Sequence, residues 1–505
     1  MSLQSLLIAI IIINQIYVAN LTEIVSISFN TFFNQGQRTD IFSIDDLAKK
    51  NLYSKINIGE PSNEIKAFLS VQHSYFSITP KHITKNINEF GSHYDITKSN
   101  SFKDISYLNS RYLFDAEYDS VAKEKFKINI YNYKKNEHYN ISIDDMIFMY
   151  KDNNKEKKES NKKNSYYLNI GLQIINQKKY KEREKYNFIN QLKKRKIITK
   201  YDWCLFFEKG KNKNGSFLYN PDELINAKGK LLIGDLPNNY APYSFHENQL
   251  LTTYSKYNSH MFKWGLEFSK IYYNKTLNDS RKISIYDAQI NINNYIILAP
   301  MIYFHNIKKD FFDYYISKKI CNIYHGKEYR TFYCQKSDNF NVEHLKKFPT
   351  LYMVHKEFQY TFEFTYEDLF MEKDNKYWFL VALSIFNSDI EEWFLGIIFL
   401  RKYNLIFNQD TKTISFYNTN LPIINTNEII NKKLISSYFI LFIIIFSLIL
   451  ISIRYIGKKI CKLKEKKRLN HINDFDYSKH EHFNINNKSS YQLNLLMEMK
   501  GLIYS

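Results

Sequence analysis

Twenty consecutive residues, Leu434 to Ile453, carry no charge. At a helical rise of about 1.5 Å per residue such a run spans roughly 30 Å, the thickness of a bilayer's hydrocarbon. A helix apolar on every side has to be wrapped by protein or by lipid. This one stands near the end of the chain, preceded by Lys432 and Lys433 and followed by Arg454, Lys458, Lys459, Lys462, Lys464, Lys466, Lys467 and Arg468. It therefore reads as one C-terminal transmembrane helix over residues 434–453, with a cytosolic tail over 454–505 and the bulk of the protein lumenal or extracellular. A shorter apolar run, Leu6 to Ala19, follows the start methionine and reads as a signal peptide over residues 1–19 rather than as an uncleaved anchor, because it is too short to span. The expected protein is single-pass and type I, at a secretory membrane or the cell surface. Membrane lipid is its first expected partner, held by the span and by attraction between the basic juxtamembrane segment and anionic headgroups.

The net charge of +19 would suit a nucleic-acid binder only if the cations were gathered on a fold that reads bases. They are dispersed, apart from the juxtamembrane cluster and the low-complexity insertion Lys151 to Lys163, so no nucleic-acid partner is expected. Of four cysteines, Cys321 and Cys334 bracket a polar loop and are candidates for a disulfide in an oxidising compartment, Cys204 reads as a buried thiol, and Cys461 falls just inside the membrane. Sequons at Asn20, Asn140, Asn214, Asn274 and Asn278 are candidate glycosylation sites under that topology. No His-x-x-x-His or Cys-x-x-Cys spacing occurs in the lobes, and His480-Glu-His482 in the tail reads as solvated, so neither a metal nor another cofactor is expected.

At 505 residues the chain has length for two lobes between its apolar ends. That body reads as short alternating strands with few long helical patterns. Six fragments then fall in a telling order: Tyr53-Ser-Lys-Ile-Asn-Ile-Gly-Glu-Pro61, Ile170-Gly-Leu172 with Phe188 to Leu192 after it, Ile197 to Phe207, Gly229-Lys-Leu-Leu-Ile-Gly234, Phe348-Pro-Thr-Leu-Tyr-Met353, and Trp393-Phe-Leu-Gly running to Phe416. Together they resemble the pepsin-like aspartic protease family over roughly residues 50 to 420. The resemblance implies an all-β, bilobal pepsin-like fold, with an N-terminal lobe over 50–200 and a C-terminal lobe over 201–420. It implies that Trp393 to Phe416 forms a turn, a short helix and a closing hairpin.

The resemblance also implies two Asp-Thr/Ser-Gly loops, whose carboxylates share one proton so that one activates water while the other protonates the carbonyl. Counting from Gly59 and Pro61 puts Ser70 at the first aspartate position, in Ser70-Val-Gln-His-Ser74. In the second half Tyr295-Ile-Ile leads to Leu298 at the other. Neither Asp-Thr-Gly nor Asp-Ser-Gly occurs anywhere in the chain. Serine is no general base at acidic or neutral pH and leucine holds no proton, so no catalytic residue is expected. The flap tyrosine falls at Tyr118, or at Tyr112 if the register slips, without the flap's usual glycines in either case. A catalyst assembled instead from Ser70, His73, Ser74 and His305 lacks a third residue to orient the imidazole.

The sequence thus points to a membrane-anchored glycoprotein homologue of the aspartic proteases, catalytically inactive, whose cleft takes a peptide or protein ligand. The alternative is a working aspartic endopeptidase.

Overall fold

The structure is a computed structural model that describes residues 23–32, 44–48, 51–71, 75–78, 94, 98–106, 120–150, 168–174, 181–208, 227–241, 244–246, 249–256, 263–276, 279–283, 287–385, 392–418, 420–421 and 446–468. The chain divides into two units, Met1–Ile423 and Ile424–Ser505. The first is mostly strand. Its amino-terminal half holds β1 (Glu23–Phe32), β2 (Asn51–Ile58), β3 (Asn63–Ser70), β4 (Phe76–Ile78), β5 (Lys103–Asp104), β6 (Ser120–Asn132), β7 (Glu137–Tyr150) and β8 (Leu168–Gly171). Then come β9 (Asp202–Phe207), β10 (Lys228–Ile233) and β11 (Leu250–Tyr254). The carboxyl-terminal half holds β12 (Gly265–Glu267), β13 (Lys270–Thr276), β14 (Asp279–Ile283), β15 (Asp287–Ile290), β16 (Ile297–Leu298), β17 (Cys321–His325) and β18 (Tyr329–Gln335). It continues through β19 (Leu351–His355), β20 (Tyr360–Phe364), β21 (Phe370–Lys373), β22 (Lys376–Phe379), β23 (Val381–Ser384), β24 (Trp393–Leu395), β25 (Ile406–Asn408) and β26 (Thr413–Tyr417).

Period-two patterning explains most of these strands. In β6 the side chains of Phe126, Ile128 and Ile130 are buried while Lys125, Lys127 and Asn129 between them are not. This strand pairs with β7 through a long antiparallel hairpin closed at Asn136, whose φ of 55° suits an asparagine. The β2–β3 hairpin turns at Gly59, where φ is 86° and a Cβ would come within 3.1 Å of both Ser99 Oγ and the Tyr94 ring. Glycine is required there on both counts.

The strand β1 lies before residue 50, where the N-terminal lobe is expected to begin. In β1 Val25, Ile27 and Phe29 point into the core, and the strand pairs antiparallel with β2, β6 and β10. The strands β1, β10, β9, β25, β26 and β11 form one continuous antiparallel layer, so both halves of the unit contribute to a shared sheet. Under it Phe407 stacks on Trp203 at 4.3 Å and meets Trp264 edge-on at 5.0 Å. Aromatic burial of this kind supplies both area and ring geometry.

From Trp393 onward β24 is followed by the helix Ile397–Tyr403, and β25 and β26 close the half as a hairpin. Gly396 permits the turn because a Cβ there would sit 2.3 Å from the carbonyl oxygens of Asn294 and Ile296. In β17 and β18, Cys321 and Cys334 stand in register and are joined as a disulfide, while Cys204 is a buried free thiol and Cys461 an exposed one.

In the second unit residues 446–468 are helical, with Phe446, Leu448, Ile449, Leu450, Ile451 and Ile453 exposed. Among the described residues no helix is long and apolar enough to cross a membrane. Residues 434–445, the first part of the expected span, lie outside the described set, as does the expected signal peptide.

Candidate functional site

Each half carries the same three-strand arrangement, in which a later strand is inserted between two that are adjacent in sequence. In the first half β8 lies between β3 and β4, parallel to β3 and antiparallel to β4. In the second, β24 lies between β15 and β16, parallel to β15 and antiparallel to β16. The loop that leaves the first strand of each trio therefore emerges beside a glycine at the end of the inserted strand, Gly171 as its last residue and Gly396 just after it. Ser70 closes β3 directly opposite Gly171. Ile290 closes β15 opposite Leu395, so the next residue, Asn291, stands beside Gly396, and its N–H donates to Leu395 O at 3.0 Å.

The equivalence corrects the expected position Leu298. The inserted strands align on their glycines, Gly171 and Gly396, so Asn169 and Phe394 correspond, each standing two residues before its glycine. Asn169 pairs with Ser77 and Phe394 with Leu298. Leu298 thus matches Ser77 on the second arm of the trio, seven residues beyond the floor position in both halves. The apolar run Tyr295 to Leu298 looks like the strand that enters the loop and is the strand that leaves it. A sequence signal was present in Asn291-Ile-Asn293-Asn294, since clustered asparagines between two short strands mark a turn.

The floor positions are polar and uncharged. Ser70 is 2 % exposed, and its carbonyl accepts the Leu172 N–H at 2.7 Å. The carbonyl of Leu172 in turn accepts Trp264 Nε1–H at 2.7 Å and Gln409 Nε2–H at 3.0 Å. These two donors come from the other half of the unit, so the Ser70 loop is tied across the seam by its own neighbour. On the opposite side Asn291 Oδ1 accepts the Asn293 N–H at 3.0 Å, an Asx turn that fixes the amide, and Ile397 N–H donates to Asn294 O at 2.8 Å. The Asn294 side chain is buried, and its Oδ1 has no hydrogen-bond partner among the described residues. Nothing in either loop as described, Ser70-Val71 or Asn291 to Asn294, titrates between acidic and neutral pH.

The flap candidates Tyr118 and Tyr112 lie outside the described residues, as do Gln72, His73 and Ser74. His305 is exposed on the helix Met301–Ile307, which follows β16, whereas Ser70 is buried at the end of β3. The structure therefore does not present Ser70 and His305 as a nucleophile and its base. Of the sequons, Asn140 is exposed on β7 and Asn274 lies on β13, while Asn20, Asn214 and Asn278 lie outside the described residues. Among the described residues no cluster of three metal-ligating side chains occurs.

One acidic side chain stands out away from the floor. Glu124 on β6 is 1 % exposed and accepts from the hydroxyls of Tyr94 and Ser101 and from the Lys125 N–H at 2.8 Å. Burial pushes its carboxyl up to about 7; the Lys125 N–H opposes this, and the nearby charge of Glu60 adds to it. The cluster pins Tyr94 and Ser101 beside the β2–β3 turn, where Glu60 N–H donates to Ser99 Oγ at 3.1 Å.

No family model matches the chain, and no curated protein matches it. Among solved structures it is similar to conglutin gamma, described as a unique basic 7S globulin from lupine seeds, with a TM-score of 0.52 at 10% identity, over 79% of this chain and 95% of that one. Basic 7S globulin from soybean gives a TM-score of 0.47 at 10% identity, over 78% of this chain and 95% of its own. These globulins are related to the pepsin-like fold. At such identity the likeness speaks for architecture alone, and it agrees with the strand-rich, two-lobed build and the repeated trio: the chain has an all-β bilobal fold like that of conglutin gamma.

Proposed function

We propose that this protein is a catalytically inactive homologue of the pepsin-like aspartic proteases, anchored in a membrane, whose cleft captures an extended peptide or protein segment. The observation that carries the reading is the pair of floor positions. The two loops that would have to supply proton-sharing carboxylates begin at Ser70 and Asn291, a hydroxyl and an amide. Both groups make hydrogen bonds to a bound backbone and neither activates water. A cleft keeps its shape without its chemistry because other residues build it, here the strand trios and the seam bonds of Trp264 and Gln409. Extended peptides bind such grooves through main-chain hydrogen bonds and side-chain pockets.

Membrane anchoring is supported by the uncharged run Leu434 to Ile453, by the cations after it, and by the apolar side chains exposed along the helical residues 446–453. Vesicles exposing their cytosolic face test the orientation. Added protease should remove only the tail and leave a protected ectodomain, glycosylated where its sequons are used; digestion of the ectodomain would refute the topology. Capture is tested by pull-down with the full chain, with Tyr118→Ala, and with a chain ending at Arg454. Weakened capture by Tyr118→Ala with the tail intact supports a cleft ligand. Loss of partners only on tail removal would assign the function to the cytosolic segment.

A further inference from the structure

Residues of β1, β2, β6, β7 and β10 line an open pocket of about 280 Å³. Alternation along the strands gathers its polar lining: Lys127 and Asn129 are two apart on β6, His138 and Asn140 two apart on β7, and Lys55 and Lys230 come from β2 and β10. No aspartate or glutamate lines it. Lys55 is matched by Glu64 at 2.6 Å, whereas among the described residues Lys127 and Lys230 take part in no ion pair. A pocket lined by two unmatched lysines, with no anion of its own, has a standing attraction for one. His138 reports the same field: burial first, and then the charge of Lys230, hold its imidazole below the usual histidine basicity. Its Nδ1 lies 2.9 Å from Asn129 Oδ1, which orients the ring and leaves Nε2 as the uncommitted nitrogen.

We propose that this pocket binds a soluble phosphate monoester of about one sugar unit, with the phosphate between Lys127 and Lys230 and the sugar hydroxyls on the amides of Asn129 and Asn140. Charge selects phosphate over sulfate: a phosphate monoester carries close to two negative charges at neutral pH, matching two unpaired lysines, and a sulfate ester carries one. Size selects a small occupant of about one sugar unit, because the volume of about 280 Å³ lies just below the usual range for drug-sized ligands. The site is separate from the floor formed by Ser70 and Asn291 and does not depend on the reading of that floor.

Asn140 also begins the sequon Asn140-Ile-Ser142, and a glycan there would cover the mouth. The test therefore uses full-length protein in detergent carrying Ser142→Ala, which removes the sequon and leaves the lining intact. Calorimetric titration is expected to show saturable binding of glucose 6-phosphate, weaker binding of glucose 6-sulfate, and no binding of glucose. Lys127→Gln/Lys230→Gln should weaken glucose 6-phosphate by about a hundredfold or more, the scale of losing two hydrogen bonds to a charged group. The charge-matched Lys318→Gln/Lys347→Gln, both exposed and elsewhere, should leave it unchanged. Absence of saturable binding, or equal losses in the two double variants, would overturn the proposal. So would binding to phosphatidylcholine vesicles carrying phosphatidylinositol 4-phosphate without binding to the soluble ester.

Discussion

Replacing Glu124 by glutamine should change how stability responds to pH more than how large it is. In the folded chain burial holds the carboxyl's pKa at about 7, against 4.5 for the free side chain. Below 4.5 both folded and unfolded forms are protonated and the group is neutral to the balance. Between 4.5 and about 7 the unfolded chain has lost its proton and the folded chain keeps it, so unfolding releases a proton and stability falls as pH rises. The integrated loss is roughly 3 kcal/mol, complete above about pH 7. Glutamine is near-isosteric: its one carbonyl oxygen can accept from Ser101 and the Lys125 N–H, and its NH2 can donate to the Tyr94 hydroxyl oxygen as the O–H of the protonated carboxyl can, so at pH 4.5 the variant should lie within about 1 kcal/mol of wild type. At pH 8 it should be the more stable protein by up to roughly 3 kcal/mol on the same linkage. The raw wild-type curve also contains His355, whose pKa burial lowers to about 4 and which therefore costs stability as pH falls below the usual histidine value. Both proteins contain His355, so the difference between their urea-unfolding free energies cancels it. The assay is that difference measured from pH 4.5 to 8 on the unit ending at Ile423. A difference independent of pH would refute the assignment of Glu124 as a buried, proton-holding carboxyl.

Three further outcomes are expected. Reduction of Cys321–Cys334, or its replacement by a serine pair, should lower stability by about 3 kcal/mol, the loop-closure scale for a separation of 13 residues, read by chemical denaturation with and without reductant. Gly396→Ala should destabilise strongly, because the new methyl would meet the carbonyls of Asn294 and Ile296 at 2.3 Å, and thermal unfolding should show this well beyond the effect of alanine at an exposed strand position. Trp264→Phe keeps most of the ring burial and removes the bond to Leu172 O, so it should cost about 1–3 kcal/mol and loosen the Ser70 loop, seen as faster amide exchange at Leu172.

Much of the architecture was legible in the chain. From Trp393 onward the short helix and the closing hairpin form as the resemblance implied, while the expected turn at Trp393 to Leu395 is the strand β24; local turn chemistry and period-two burial set the helix and hairpin without distant help. The strand Glu23–Phe32 was missed although it alternates Val25, Ile27 and Phe29 with polar neighbours; proximity to the apolar leader hid it, and only its pairing with β10 across the shared layer shows its role. Leu298 was misplaced because a short apolar run looks the same entering a loop as leaving it. Which arm it occupies depends on whether β24 runs parallel or antiparallel to it, a non-local fact. The pocket above Lys127 and Lys230 was likewise illegible, since its residues lie on strands far apart in sequence and meet only through register.

The most direct test of the account is hydrolysis. Purified wild-type protein, incubated with a broad peptide library from acidic to neutral pH, is predicted to give no cleavage that a statine-type transition-state analogue blocks, because Ser70 and Asn291 leave no group to take a proton from water. Cleavage abolished by such an analogue would contradict it.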